Sequence, residues 1–110
     1  MKVTRTFSPY AREAAKLLGM QVAAARRERR WSAEELAERA GISPPTLTKV
    51  ESGDMTVGLG VAFEVAALVG VPLFHDDRSR LGFEVGRAAD RLAVLPTRVR
   101  RRAGSVNDDF

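Results

Sequence analysis

The stretch "WSAEELAERAGISPPTLTKVESG", residues 31–53, constrains this chain more than any other. Ser32 and Glu35 have the spacing of a capping box, in which the serine oxygen accepts from the third amide of a helix and the glutamate reaches back to the cap amide. Leu36, Ala37 and Ala40 then supply the inner face of a helix of roughly eight residues, and Gly41 stands where a helix C-terminus favours a left-handed residue. Ile42 and Ser43 leave a very short connection before a second helix, which runs from about Pro45 to Ser52 and stops at Gly53. Two short helices joined by so tight a turn form a helix-turn-helix unit.

The flanking sequence supplies three more helices. From Tyr10 to Arg30 the chain reads as one helix started by Ser8 and Pro9, with Leu18, Val22 and Ala25 on one face and Leu17 and Met20 widening it. Arg26 falls four residues after Val22 and so points partly inward, where an arginine needs a partner. "LGVAFEVAALVGVP" places Leu59, Phe63, Ala66, Ala67 and Leu68 at helical spacing. It is apolar enough to be central, and Gly70 and Pro72 end it. After Asp76 and Asp77, a last stripe of Leu81, Val85, Ala88, Ala89 and Leu92 marks a helix that Gly82 and Gly86 weaken. Beyond Pro96 the sequence is basic, then rich in Gly, Ser and Asn, then acidic, without periodicity.

The expected class is therefore all-α, with five helices. The domain division is a helix-turn-helix domain over 1–74, a C-terminal helix over 75–96 and a flexible tail over 97–110. With 110 residues there is room for one core. The 45% apolar content, dominated by Ala, Leu and Val with only 6% aromatics, suits helices better than sheet. The absence of cysteine excludes disulfides and thiolate metal sites, and His75 is the single histidine. No cofactor is expected. An enzyme is disfavoured because no Ser/His/Asp set, phosphate-cradling glycine loop or carboxylate pair is in place. No run is long and apolar enough to cross a membrane, and the N-terminus lacks the apolar core of a secretory signal, so the expected location is cytoplasmic, associated with the nucleoid.

Charge points to the partner. The net charge is +4, concentrated in "RRERR" at Arg26 to Arg30 and "RVRRR" at Arg98 to Arg102. A polyanion is the natural ligand, because neutralising phosphates releases counterions. The alternative is that these runs are solvated helix ends.

From Arg26 to about Leu73 the order of these signals resembles the Xre family, the helix-turn-helix domain of Cro and phage repressors. The resemblance implies a DNA-binding repressor acting on an inverted-repeat operator in duplex DNA as a homodimer. It implies a salt bridge between Arg26 and Glu51, small residues at Ala37 and Gly41 that let the two motif helices approach, and Ile42, Leu47 and Val50 as the core anchors of the recognition helix. Base reading falls to its outward face, where Pro45, Thr46 and Lys49 lie closest, with Thr48 at the edge. Phosphate contacts fall to Ser32, Ser43 and the cluster Arg27, Arg29 and Arg30. The sequence departs from the family at Pro44 and Pro45, where relatives often carry Gln, Arg or Ser, and at Ala33, where they carry a phosphate-holding Gln. A proline touches a thymine methyl but makes no bidentate bond to a base, so direct readout rests mainly on Lys49 and Thr46. Since a residue before proline is pushed out of the α region, Pro44 is expected as the cap and Pro45 as the first helical residue. Ser43 then lies just outside the helix, free to meet a phosphate.

The second half carries a looser resemblance. "ESGD…VG", "LVGVPLF", "LAVLPTRVRRR" and the terminal "DDF" together look like HipB-like antitoxins encoded beside HipA-type kinases. That resemblance implies a protein that represses its own operon and restrains a serine/threonine kinase toxin. Arg100, Asp108, Asp109 and Phe110 would then be partner contacts in a tail that folds on binding. Two other readings stay open: an ordinary dimeric repressor whose last helix, Leu81 to Leu95, is the dimer contact, and a nucleic-acid chaperone binding without sequence preference.

Overall fold

The computed structural model describes residues 6–99. It contains five helices: α1 Pro9–Glu28, α2 Ala33–Ala40, α3 Pro44–Ser52, α4 Leu59–Leu68 and α5 Arg80–Val94. The chain divides into two compact units, with the break between Asp76 and Asp77. Between α4 and α5 the described residues hold an isolated bridge, Leu73 to His75, and no strand.

Local chemistry sets the starts of α1, α2 and α3. Ser8 caps α1, its hydroxyl accepting from the Ala11 amide at 3.1 Å, with Pro9 at the first helical position. The capping box of α2 is complete: Glu35 N–H donates to Ser32 Oγ at 3.0 Å and Ser32 N–H to Glu35 Oε1 at 2.7 Å. Gly41, at φ 71°, then takes the left-handed turn that lets Ile42 N–H reach the Ala37 carbonyl at 3.0 Å. No atom lies within 4 Å of a Cβ built on Gly41, so conformation is what requires glycine there, and the expected role in close helix approach is not its role.

The start of α3 differs from the sequence reading. Ser43, in extended conformation at ψ 154°, is the N-cap, and both prolines are helical. Ser43 meets the restriction before Pro44, whereas Pro44 is helical although it precedes Pro45, and both rings sit at positions whose amide would have no intrahelical acceptor. The serine hydroxyl accepts from Thr46 N–H at 3.3 Å and lies 2.9 Å from Thr46 Oγ1.

The core of the first unit is Val22 of α1, Leu36 and Ala37 of α2, Leu47 and Val50 of α3, and Val65, Ala66, Val69 and Val71 from α4 and its exit. The central face of α4 is thus Val65 and Ala66, whereas Leu59 is 69% exposed. The inner face of α1 is narrower than its sequence suggests, because Leu17 and Met20 point outward and Gly19 is buried instead. A Cβ on Gly19 would come within 2.5 Å of the Glu51 carbonyl oxygen and 2.6 Å of the Val50 carbonyl oxygen. The absence of a side chain is what lets α1 lie directly on the last turn of α3.

Candidate nucleic-acid interface

Arg26 fixes the frame on which the exposed face of α3 is carried. Its Nε donates to Glu51 Oε2 at 2.7 Å and its Nη2 to Glu51 Oε1 at 3.1 Å, a two-pronged pair across α1 and α3. Its Nη1 donates to the Trp31 carbonyl at 3.0 Å, while the Trp31 amide donates to the Arg26 carbonyl at 3.1 Å. One side chain therefore ties α1, the connection into α2 and α3 together. The hydrogen bond to Glu51, helped by the charge of Glu51 and outweighing the cost of burial, raises the Arg26 pKa above the ordinary guanidinium value. Between the two Arg26–Trp31 bonds, Arg30 sits at φ 60°, a left-handed conformation that costs a non-glycine residue about 1 kcal/mol.

Leu47 and Val50 face inward, so the opposite side of α3 presents Pro45, Thr48, Lys49 and Ser52, all exposed and spaced along one stripe. Exposure along α3 differs from the expected order. Thr46 is half-buried with its hydroxyl against Ser43, because it lies toward the Leu47 and Val50 side of the wheel. Thr48 faces out, its hydroxyl donating to the Pro44 carbonyl at 3.1 Å and keeping its acceptor capacity. Ser52, missed from sequence, extends the stripe by one turn. Its position seven residues after Pro45 was the available signal.

The same surface continues onto α1 and α2. Arg27, Ala33, Thr48 and Ser52 border one shallow groove whose floor includes Ala23, Ala24 and the Arg26–Glu51 pair. Ser32, one residue before Ala33, is exposed. Arg29, expected beside Arg27, goes elsewhere: its guanidinium carbon is 5.9 Å from the centre of the Trp31 ring, and a Cβ on Gly70 would be 2.9 Å from its Nη2. Trp31 attracts it, together with Arg39 at 4.2 Å, and Gly70 leaves room for it. Arg30 is exposed at the end of α1. Arg100, Asp108, Asp109 and Phe110 lie outside the described residues.

The elements bearing this surface, two short helices with a left-handed glycine turn between them, decide the comparison with known families. Residues 22–75 match the helix-turn-helix family. No curated protein and no solved structure is significantly similar to the chain. The match to this family of DNA-binding domains runs from Val22 to His75. It includes Arg26, Glu51 and the whole exposed stripe of α3, and it stops before α5. The matched segment thus lies within the first unit and covers most of it. No group of side chains that could hold a metal ion occurs among the described residues, and no described helix is long and apolar enough to cross a membrane.

Proposed function

We propose that the protein is a sequence-specific transcriptional repressor that binds an inverted-repeat operator in duplex DNA as a homodimer. The observation that carries this reading is the stripe Pro45, Thr48, Lys49 and Ser52 on a helix locked by Arg26 and Glu51 and flanked by exposed Arg27. Laid in the major groove, α3 brings Lys49 to guanine acceptors and Pro45 to a thymine methyl, with Thr48 beside them and Thr46 reaching in from its half-buried edge. Arg27, Arg30 and Ser32 take phosphates, and Arg29 contributes charge from its place on Trp31. Ser43 keeps a part despite its capping role: when Thr46 donates to it, the Ser43 hydroxyl hydrogen is free to reach a phosphate oxygen. With so few base contacts, half-site spacing and DNA shape carry much of the specificity.

The test is fluorescence anisotropy on a duplex selected from a random pool, compared with a scrambled duplex over a range of salt. Lys49→Ala is expected to relax discrimination at one base position by about 1–3 kcal/mol. Arg27→Ala is expected to weaken binding to both duplexes alike and to lower the salt slope by about 1. Equal losses on both duplexes for both variants would overturn the division of labour.

A second reading adds a kinase toxin as partner and makes the protein an antitoxin. It is favoured by the resemblance of "LAVLPTRVRRR" and the terminal "DDF" to HipB-like chains. Co-expression with the product of the adjoining reading frame tests it: a complex is expected that deletion of residues 97–110 abolishes, and survival of the complex would exclude the tail as the contact.

A further inference from the structure

The helix α5 has no buried residue, yet one of its faces is an unbroken apolar stripe, while Phe83 and Val94 stand exposed on the opposite side. Leu81, Val85, Ala88 and Leu92 recur at spacings of four, three and four, the pattern that keeps one seam facing a partner helix, and Leu95 follows at the extended C-cap. Leu81, Val85, Leu92 and Leu95 are 37%, 63%, 70% and 48% exposed. Each flank of this seam has its own chemistry. On one side stand Gly82 and Ala89, with no bulk. On the other stand Glu84 and Arg91, opposite in sign and two turns apart, lining a shallow depression together with Arg87 and Ala88. Arg80 and Arg87 approach Glu84 only at 3.4 and 3.7 Å, and Arg91 has no salt bridge among the described residues.

We propose that this face pairs with α5 of a second copy of the chain in antiparallel orientation, with Val85 opposite Ala88 of the other copy and Leu81 opposite Leu92. The flanking charges select this arrangement over its rivals. In an antiparallel pair the residues just before the first seam position of each heptad meet their own kind across the interface, so Glu84 of each copy meets Arg91 of the other, twice by symmetry. Sliding one helix by a heptad would put Arg91 against Arg91. Turning the helices parallel would put Glu84 against Ala89 and forfeit both ion pairs. On the opposite flank the same register sets Gly82 against Ala89, two small residues that let the helices come close. The contact is short, so the association is concentration-dependent and at the small end of specific interfaces. The proposal gives the homodimer of the repressor reading its contact surface and rests on that reading only for the dimer's role on DNA.

Sedimentation equilibrium on the full chain tests it, with circular dichroism to verify that each variant keeps its helix content. The wild type is expected to dimerise reversibly. Glu84→Arg and Arg91→Glu each turn both cross-pairs into like-charge contacts and are expected to weaken the dimer about tenfold or more. Mixing the two variants restores opposite charges at both contacts, so a heterodimer of near wild-type strength is expected; the double variant in one chain recovers as well. Recovery on mixing cannot come from repair within a helix, because each chain keeps its own changed residue. A monomeric wild type, single variants that dimerise normally, or a mixture that stays weak would each overturn the antiparallel register. Failure of the repressor reading is distinguishable: the dimer would form with this charge pattern while no duplex is selected, whereas a monomer that binds a half-site would fail only the pairing.

Discussion

Removing Glu51 is the sharpest test of how the site is held. The side chains of Arg26 and Glu51 are 13% and 15% exposed, and Arg26 donates to both carboxylate oxygens. Glu51→Ala leaves the guanidinium with the Trp31 carbonyl as its remaining partner and two N–H groups facing the space the carboxylate filled. A fully buried pair broken on one side costs about 3–5 kcal/mol, and an exposed pair costs less than about 1. This pair lies under a thin cover of side chains beside an open groove, so the expected loss is about 2–3 kcal/mol. For a domain of this size that lowers the melting temperature by roughly 8–20 °C. Thermal unfolding followed by circular dichroism at neutral pH measures it. Replacing both residues, Arg26→Met with Glu51→Leu, is expected to recover most of the loss, because no charge is then stranded. A melting curve within a degree or two of wild type for Glu51→Ala would refute the reasoning, and equal damage in the double replacement would show that packing, not the stranded charge, was responsible.

Two further outcomes follow from the fold. Gly19→Ala drives a methyl group to within 2.5–2.8 Å of backbone atoms of Val50 and Glu51, so α3 must shift; a loss of at least about 2 kcal/mol in urea unfolding is expected even though alanine is the better helix former. Asp54 accepts from the Thr56 hydroxyl and from the Thr56 amide at 2.7 Å, and these bonds hold its carboxyl below the ordinary value. Since the folded pKa is below the unfolded one, the stabilisation is present above the unfolded pKa and is lost as pH falls through the folded value. Wild type is therefore expected to melt above Asp54→Ala at pH 7, and the gap is expected to narrow in strong acid.

The sequence determined the parts of this protein that are set within a turn or two of chain. Ser32 with Glu35, Ser8 with Pro9, and Gly41 and Gly53 mark helix ends by satisfying amides and carbonyls a few residues away, so their meaning is local and readable. The inward direction of Arg26 followed from Val22 by helical period alone. The partner Glu51 came from family resemblance, and the 2.7 Å contact is a fact of the fold.

The features set by packing depend on residues far apart in the chain. Gly19 carries no signal within α1 itself; its requirement comes from the carbonyls of α3, 31 and 32 residues on. Arg29 belongs by sequence to a basic cluster, yet its guanidinium lies by the Trp31 ring in the room that Gly70 leaves. Thr46 and Thr48 are chemically alike, and which one faces outward was settled by Leu47 and Val50 turning into the core. Even at the local start of α3, Ser43 takes the cap in place of Pro44, because a serine cap satisfies an amide that a proline cap would leave open. Helix ends are governed by hydrogen bonds that close within four residues, whereas the orientation of a surface is governed by whichever distant side chains compete for the same interior.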